Sequence, residues 1–276
     1  MKTITLLLFL FCCATLSSES FGQIYDPGSF NSGYASSFDR SRILFANPAL
    51  LDNYPMQYFC AGTTSTYHFQ EVQQYHCGLY SCWRRQSLGL SSLIVASDYS
   101  SAVTIQGQYG RQLFENFHTG IRVKMMHLNF GPYGNDNRVN ADFGMLYRLS
   151  SRWQLAMLLQ QIRPVQMGTQ EQTGPAICAG LAFIPSTKAR LIMELEQRTT
   201  SGIGFRCALE YSPRAQIIIK SFLQSQPSRF GFGISYRIAR NVVLESIGIY
   251  HPVLGLSTGL DVKILSHNLK KKVPDD

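Results

Sequence analysis

From residue 57 onward the sequence alternates between apolar and polar residues with a period of two, in run after run. Val103, Ile105 and Tyr109 alternate with Thr104, Gln106 and Gln108; Leu191, Met193 and Leu195 with Arg190, Glu194 and Glu196; Phe230, Phe232, Ile234 and Tyr236 with Gly231, Gly233, Ser235 and Arg237. A strand points successive side chains to opposite faces, so each run predicts a sheet element with one apolar and one polar face. Turn-forming clusters such as Gly131 to Asn137, Pro185-Ser186, Ser212-Pro213 and His251-Pro252 separate the runs. Counting between them gives about 14 strands of about 10 residues each. That length crosses a bilayer as a tilted strand, and an even number of such strands closes into a bacterial barrel.

Composition removes competing classes. Charged residues make up 15% of the 276-residue chain, below the roughly 25% of soluble domains, and the net charge is +8. A mean hydropathy of -0.04 is too polar for a helical membrane bundle, and 12% aromatics is too rich for a disordered chain. Alternation alone fits a soluble β-sandwich turned inside out. Three features favour the membrane: aromatics near strand ends (Tyr80, Trp83, Tyr99, Tyr147, Trp153, Tyr211, Tyr236, Tyr250), isolated charges on the polar parity, and a ring too wide for apolar side chains to fill. The charges that fall on that parity and are expected in a hydrated lumen include Arg122, Lys124, Asp142, Arg148, Glu194 and Glu196. Arg206, Glu210, Lys220, Arg237, Asp261 and Lys263 complete the set. Glu194 and Glu196 share a face, where Arg206 or Arg190 would neutralise them.

Four segments follow. Residues 1–22 read as a secretory signal, with an apolar core from Ile4 to Leu16 and small residues placing cleavage after Gly22. Residues 23–56 do not alternate and read as a lead segment packed in the lumen as a plug. Residues 57–265 form the all-β, closed antiparallel transmembrane barrel, and 266–276 a basic tail containing Lys270, Lys271 and Lys272. In the lead, Asn47-Pro48-Ala49 reads as a Pro-initiated turn, with Asn47 bonding local backbone. Of seven cysteines, two lie in the signal; Cys60 and Cys77 would face each other and could bridge if their segments form a hairpin turning near His68, and the alternative is that Cys60, Cys77, Cys82, Cys178 and Cys207 are small apolar residues on strand faces.

Catalytic and metal chemistry find no pattern. His68, His76, His118, His127, His251 and His267 are scattered, no Gly-x-Ser-x-Gly elbow occurs, and no Cys or His spacing suits zinc. The expectation is a non-enzymatic chain without metal or cofactor. No aromatics interleave with the tail lysines, so nucleic acid is not an expected partner.

The segment Phe45-Ala46-Asn47-Pro48-Ala49-Leu50-Leu51 resembles the Asn-Pro-Ala motif of FadL-type outer-membrane barrels, in particular the PorV/PorQ-like branch linked to type IX secretion. The stretches Gly120 to Lys124 and Ala141 to Leu149 are similar to a hairpin region of that branch. Glu210-Tyr211 and the closing turn His251-Pro252-Val253-Leu254-Gly255 are similar to two further blocks. The resemblance implies a 14-stranded barrel in the Gram-negative outer membrane, in contact with its lipid. It implies a secretion-associated role, docking exported proteins or secretion machinery. The superfamily's alternative is an uptake channel for hydrophobic small molecules, gated by the lead. A charge-rich polar parity favours docking over a hydrophobic ligand path.

Overall fold

The computed structural model describes residues 44–53, 57–66, 72–83, 85–98, 100–162, 165–166, 175–198 and 202–266. The expected signal 1–22, the lead as far as residue 43, Tyr99 and the tail from 267 lie outside the described residues.

The strands are β1 (Gln57–Ser65), β2 (Gln73–Trp83), β3 (Gln86–Ala96), β4 (Ser101–Phe114), β5 (Phe117–Asn129), β6 (Asn135–Arg148) and β7 (Trp153–Gln160). They continue with the two-residue β8 (Val165–Gln166), β9 (Ala176–Ser186), β10 (Ala189–Arg198), β11 (Gly202–Arg214), β12 (Ile217–Ser225), β13 (Ser228–Ala239), β14 (Val242–His251) and β15 (Gly255–Ser266). Each long strand pairs antiparallel with its neighbours, and β1 pairs with β15 from Gln57↔Ser266 to Ser65↔Thr258. That last ladder closes a ring of 14 long strands, and β8 adds a short pairing to β6. Closure leaves no free edge, which lets strands sit in lipid. Among the described residues no helix is long and apolar enough to cross a membrane.

The two faces are inverted relative to a water-soluble protein. Arg122, Asp142 and Glu245 are each 1% exposed inside, while Leu79, Leu90 and Ile203 are 57%, 57% and 66% exposed outside. A soluble sandwich would bury the second set and solvate the first, so this inversion selects the membrane orientation.

Register corrects two expectations. Cys60 lies opposite Gly78, and Cys77 opposite Ala61. Cys60 is therefore buried in the lumen and Cys77 exposed on the outer wall, and the two form no disulfide. An offset of one residue turns a would-be disulfide into two thiols on opposite faces. Tyr80, expected in an outer aromatic belt, shares the inner face with His76 and Cys82 and is 3% exposed.

Candidate functional site

Residues 44–53 lie inside the ring, packed against the β2 to β7 wall. Leu44, Phe45, Ala46, Ala49 and Leu50 are all buried. Wall side chains hold the backbone: the Gln106 and Gln108 amides donate to the Leu44 carbonyl at 2.7 and 2.8 Å, and Arg122 donates to the Ala46 carbonyl at 2.7 Å. Asn47 works in both directions. Its Oδ1 accepts from Ala49 N at 3.0 Å and opens the 3-10 turn Pro48–Asn53, while its amide nitrogen donates to the Met145 and Met157 carbonyls at 3.2 and 3.0 Å. Pro48, with its fixed φ and no N–H to satisfy, suits the first position of that turn.

Glycines make the close approach possible. A Cβ on Gly144 would stand 1.8 Å from Asn47 Oδ1, and one on Gly120 would stand 2.4 Å from the Pro48 carbonyl carbon. Gly120 and Gly144 are direct cross-strand partners, so they form one bare patch of wall. Leu44 sits in a second pit, where a Cβ on Gly78 or Gly89 would come within 2.5 Å of its methyl groups. The motif comparison touched Gly120 and Gly144, but seeing them as a floor requires the strand register.

The expected lumen charges are mostly paired. Arg122 donates to Asp142 through Nε at 2.8 Å and a terminal nitrogen at 2.6 Å, Lys124 stands 2.8 Å from the same carboxylate, and Gln161 N donates to it at 3.1 Å. Across the ring, Arg206 meets Glu196 at 2.6 Å and Glu194 at 3.3 Å, with Arg198 also on Glu196. Lys220 reaches Glu245 at 2.7 Å, and Lys263 donates to the other oxygen of that carboxylate. Asp261 lies 3.1 Å from His76. Glu210 is buried opposite Lys220 in the ladder. Arg148 is half-buried at the end of β6, and Arg237 is exposed where β13 shifts register.

Glu245, His76, Gln106 and Gln108 are among the buried lumen residues that the sequence reading did not single out. Strand β14 hides Glu245 because its inner parity also carries Val243, Ile247 and Ile249. His76 joins the two sides of the lumen, touching Asp261 and receiving the Phe45 ring edge-on at 5.5 Å between centroids. At the rim, His251 Nδ1 accepts from Val253 N and Leu254 N, both at 3.2 Å, and Gly255 at φ +90° completes the turn after Pro252. Among the described residues no three His, Cys, Asp or Glu side chains gather to hold a metal ion.

Similarity to solved structures follows this geometry. The CymD monoaromatic hydrocarbon channel superposes with a TM-score of 0.61 at 10% identity, covering 84% of this chain and 93% of its own. The Ralstonia pickettii toluene transporter TbuX gives 0.60 at 8% identity, with 81% and 92% covered. A Pseudomonas aeruginosa FadL homologue gives 0.55 at 8%, with 81% and 93% covered. The fold is that of FadL-type outer-membrane barrels. At these identities the likeness is one of fold, and these neighbours are transporters and channels rather than enzymes. The PorV/PorQ branch and the type IX link, expected from the motifs, find no counterpart among them. No protein-family model matches the chain, and neither does any curated protein.

Proposed function

We propose that this chain is a FadL-type transport barrel that passes small apolar solutes across the Gram-negative outer membrane, with the lead segment as its lumen plug. A leader over 1–22, cleaved after Gly22, would deliver it there. The observation that carries the reading is segregation inside the lumen. The apolar side chains of 44–50 pack with Tyr58, Tyr80, Leu93, Leu146 and Leu158 into one buried cluster, while the charges pair with each other beside it. Displacing the segment would bare an apolar surface able to hold an apolar solute, with Gln106, Gln108 and the Arg122–Asp142 pair, which now hold the segment's carbonyls, as its few polar anchors. The charge-rich parity therefore weighs less against a hydrophobic ligand than the sequence suggests. TbuX and CymD, a toluene transporter and a monoaromatic hydrocarbon channel, support the same reading.

Docking of exported proteins is the weaker reading, since it rests on the motif resemblance and no feature of the lumen requires it. The discriminating experiment is uptake of radiolabelled toluene by cells expressing the full chain, alongside mass spectrometry of proteins and lipids copurified in mild detergent. Saturable uptake above the empty-vector level is the expected result. Uptake equal to the control, with exported proteins enriched in the pull-down, would overturn the channel in favour of docking.

A further inference from the structure

The two rims of the barrel differ in charge. One rim holds the start of β1, the end of β15 and the turns that follow β2, β4, β6, β9, β11 and β13. Each of those turns, or the strand end that leads into it, carries an exposed cation. Arg85 follows β2, Arg111 lies in the last turn-ward stretch of β4, and Arg152 follows β6. Lys188 follows β9, Arg214 ends β11, and Arg237 and Arg240 flank the end of β13. Among the described residues at this rim, Glu115 is the one exposed acid. The opposite rim, again among the described residues, has one exposed charge, and it is Asp98.

Interfacial aromatics set the expected level of these cations. Lipid-facing aromatics stand within three residues of them in sequence: Trp83 before Arg85, Trp153 after Arg152, Tyr211 before Arg214 and Tyr236 before Arg237. Trp and Tyr on an outer barrel face mark the level of the interface, so a cation one step further out lies at the headgroups. An Arg or Lys near an anionic surface is held there by charge, and Arg also pairs with phosphate bidentately. A ring spread over every turn matches a continuous sheet of headgroups better than a compact acidic protein, which would need its cations on one side.

From this we infer that the rim is a binding surface for anionic phospholipid headgroups, and that it enriches such lipids around this end of the barrel. The chain supplies its own reporters, because its two tryptophans, Trp83 and Trp153, both lie in this belt. The full-length barrel is reconstituted in phosphatidylcholine vesicles containing about 20% of a lipid with a quencher near its headgroup, either phosphatidylglycerol or phosphatidylcholine. Tryptophan quenching by the labelled phosphatidylglycerol should exceed that by the labelled phosphatidylcholine about threefold. The ratio should fall towards one in roughly 0.5 M salt, and in the Arg85→Gln/Arg152→Gln variant, whose heat-modifiable electrophoretic mobility shows that it still folds. Equal quenching in the unaltered protein overturns the inference, as does a preference that survives both salt and the double substitution. Equal quenching together with salt-sensitive binding of polyglutamate would assign the rim to an acidic protein instead.

Discussion

Between β2 and β7 the lumen is filled by chain, whereas between β10 and β15 it is filled by side chains that reach across the wall. On the first side the wall is stripped to glycine at Gly78, Gly89, Gly120 and Gly144 so that Leu44 and Asn47 can lie on it. On the second, Arg206, Lys220 and Lys263 occupy the space and carboxylates on nearby strands neutralise them. Both sides need small inward residues, but for different occupants. Gly62 on β1 shows the second use: a Cβ there would stand 2.0 Å from Asp261 Oδ1 and 2.7 Å from the His76 ring, so its absence lets those two residues meet across an intervening strand. The lesson is that small inward residues set what a barrel can hold, and the register decides which occupant meets them.

The largest effect should come from Glu245, whose removal tests the side-chain half alone. Its carboxylate is 1% exposed and is shared by Lys220 and Lys263. Glu245→Ala leaves two buried ammonium groups without that partner, a loss expected to cost about 3–5 kcal/mol. Urea unfolding followed by tryptophan emission in detergent micelles measures it. A loss below about 1 kcal/mol would mean that water reaches these cations, making this half a hydrated channel instead of a filled one.

Gly144→Ala tests the other half with the smallest available change. The new methyl collides with Asn47 Oδ1, and the clash is relieved by moving either that side chain or the segment carrying it. Because Gly144 faces the lumen and its ladder is undisturbed, the barrel should persist, losing about 1–3 kcal/mol. Single-channel conductance in planar bilayers should rise as the segment leaves its floor. Unchanged conductance with unchanged stability would show that the floor is not a close fit.

These two sites also mark how far the sequence could be read. Period two gave strand positions and faces, since a half-buried strand cannot hide its alternation. It placed Arg122, Asp142, Glu194, Arg206, Lys220 and Lys263 on the inner face, where the structure has them buried. It missed Glu245, where apolar residues occupy both parities of β14. It left open whether Cys60 and Cys77 face each other, and the ladder offsets them by one residue, because hairpin register depends on a turn whose geometry alternation does not encode. The glycine floor was out of reach for the same reason: Gly120 and Gly144 are 24 residues apart and become neighbours through the β5–β6 ladder. Motif resemblance pointed to the FadL-type fold, and similarity of fold supports that level and not the finer branch.

Asn47→Ala should cost less than Glu245→Ala, about 1–3 kcal/mol, in the same range as Gly144→Ala. It removes the acceptor for Ala49 N and the donor to the Met145 and Met157 carbonyls, yet those carbonyls keep their places in the wall. Its separate signature is local. Hydrogen exchange at Ala49 and Leu50 should accelerate, while amides of β10 to β15 keep their protection. Acceleration on both sides would show that the two halves open together, and the contact of Phe45 with His76, which itself meets Asp261, would be the physical link between them.

The smallest effect should come from His251, which ends β14 at the turn into β15 and lies outside both filled regions. Its ring nitrogen accepts two backbone N–H groups, and Gly255 at φ +90° supplies the left-handed residue the turn requires. His251→Ala removes that acceptor at an exposed turn, where water can replace it, so the cost should be about 1 kcal/mol. Conductance and exchange at Ala49 should not move. If they do, the β14–β15 turn is coupled to the lumen through β14, whose Glu245 anchors the ion pairs, and the separation of the two halves would fail at the rim. If only the unfolding midpoint shifts, the turn is a local closure, and the lumen's behaviour belongs to the glycine floor and the buried carboxylates alone.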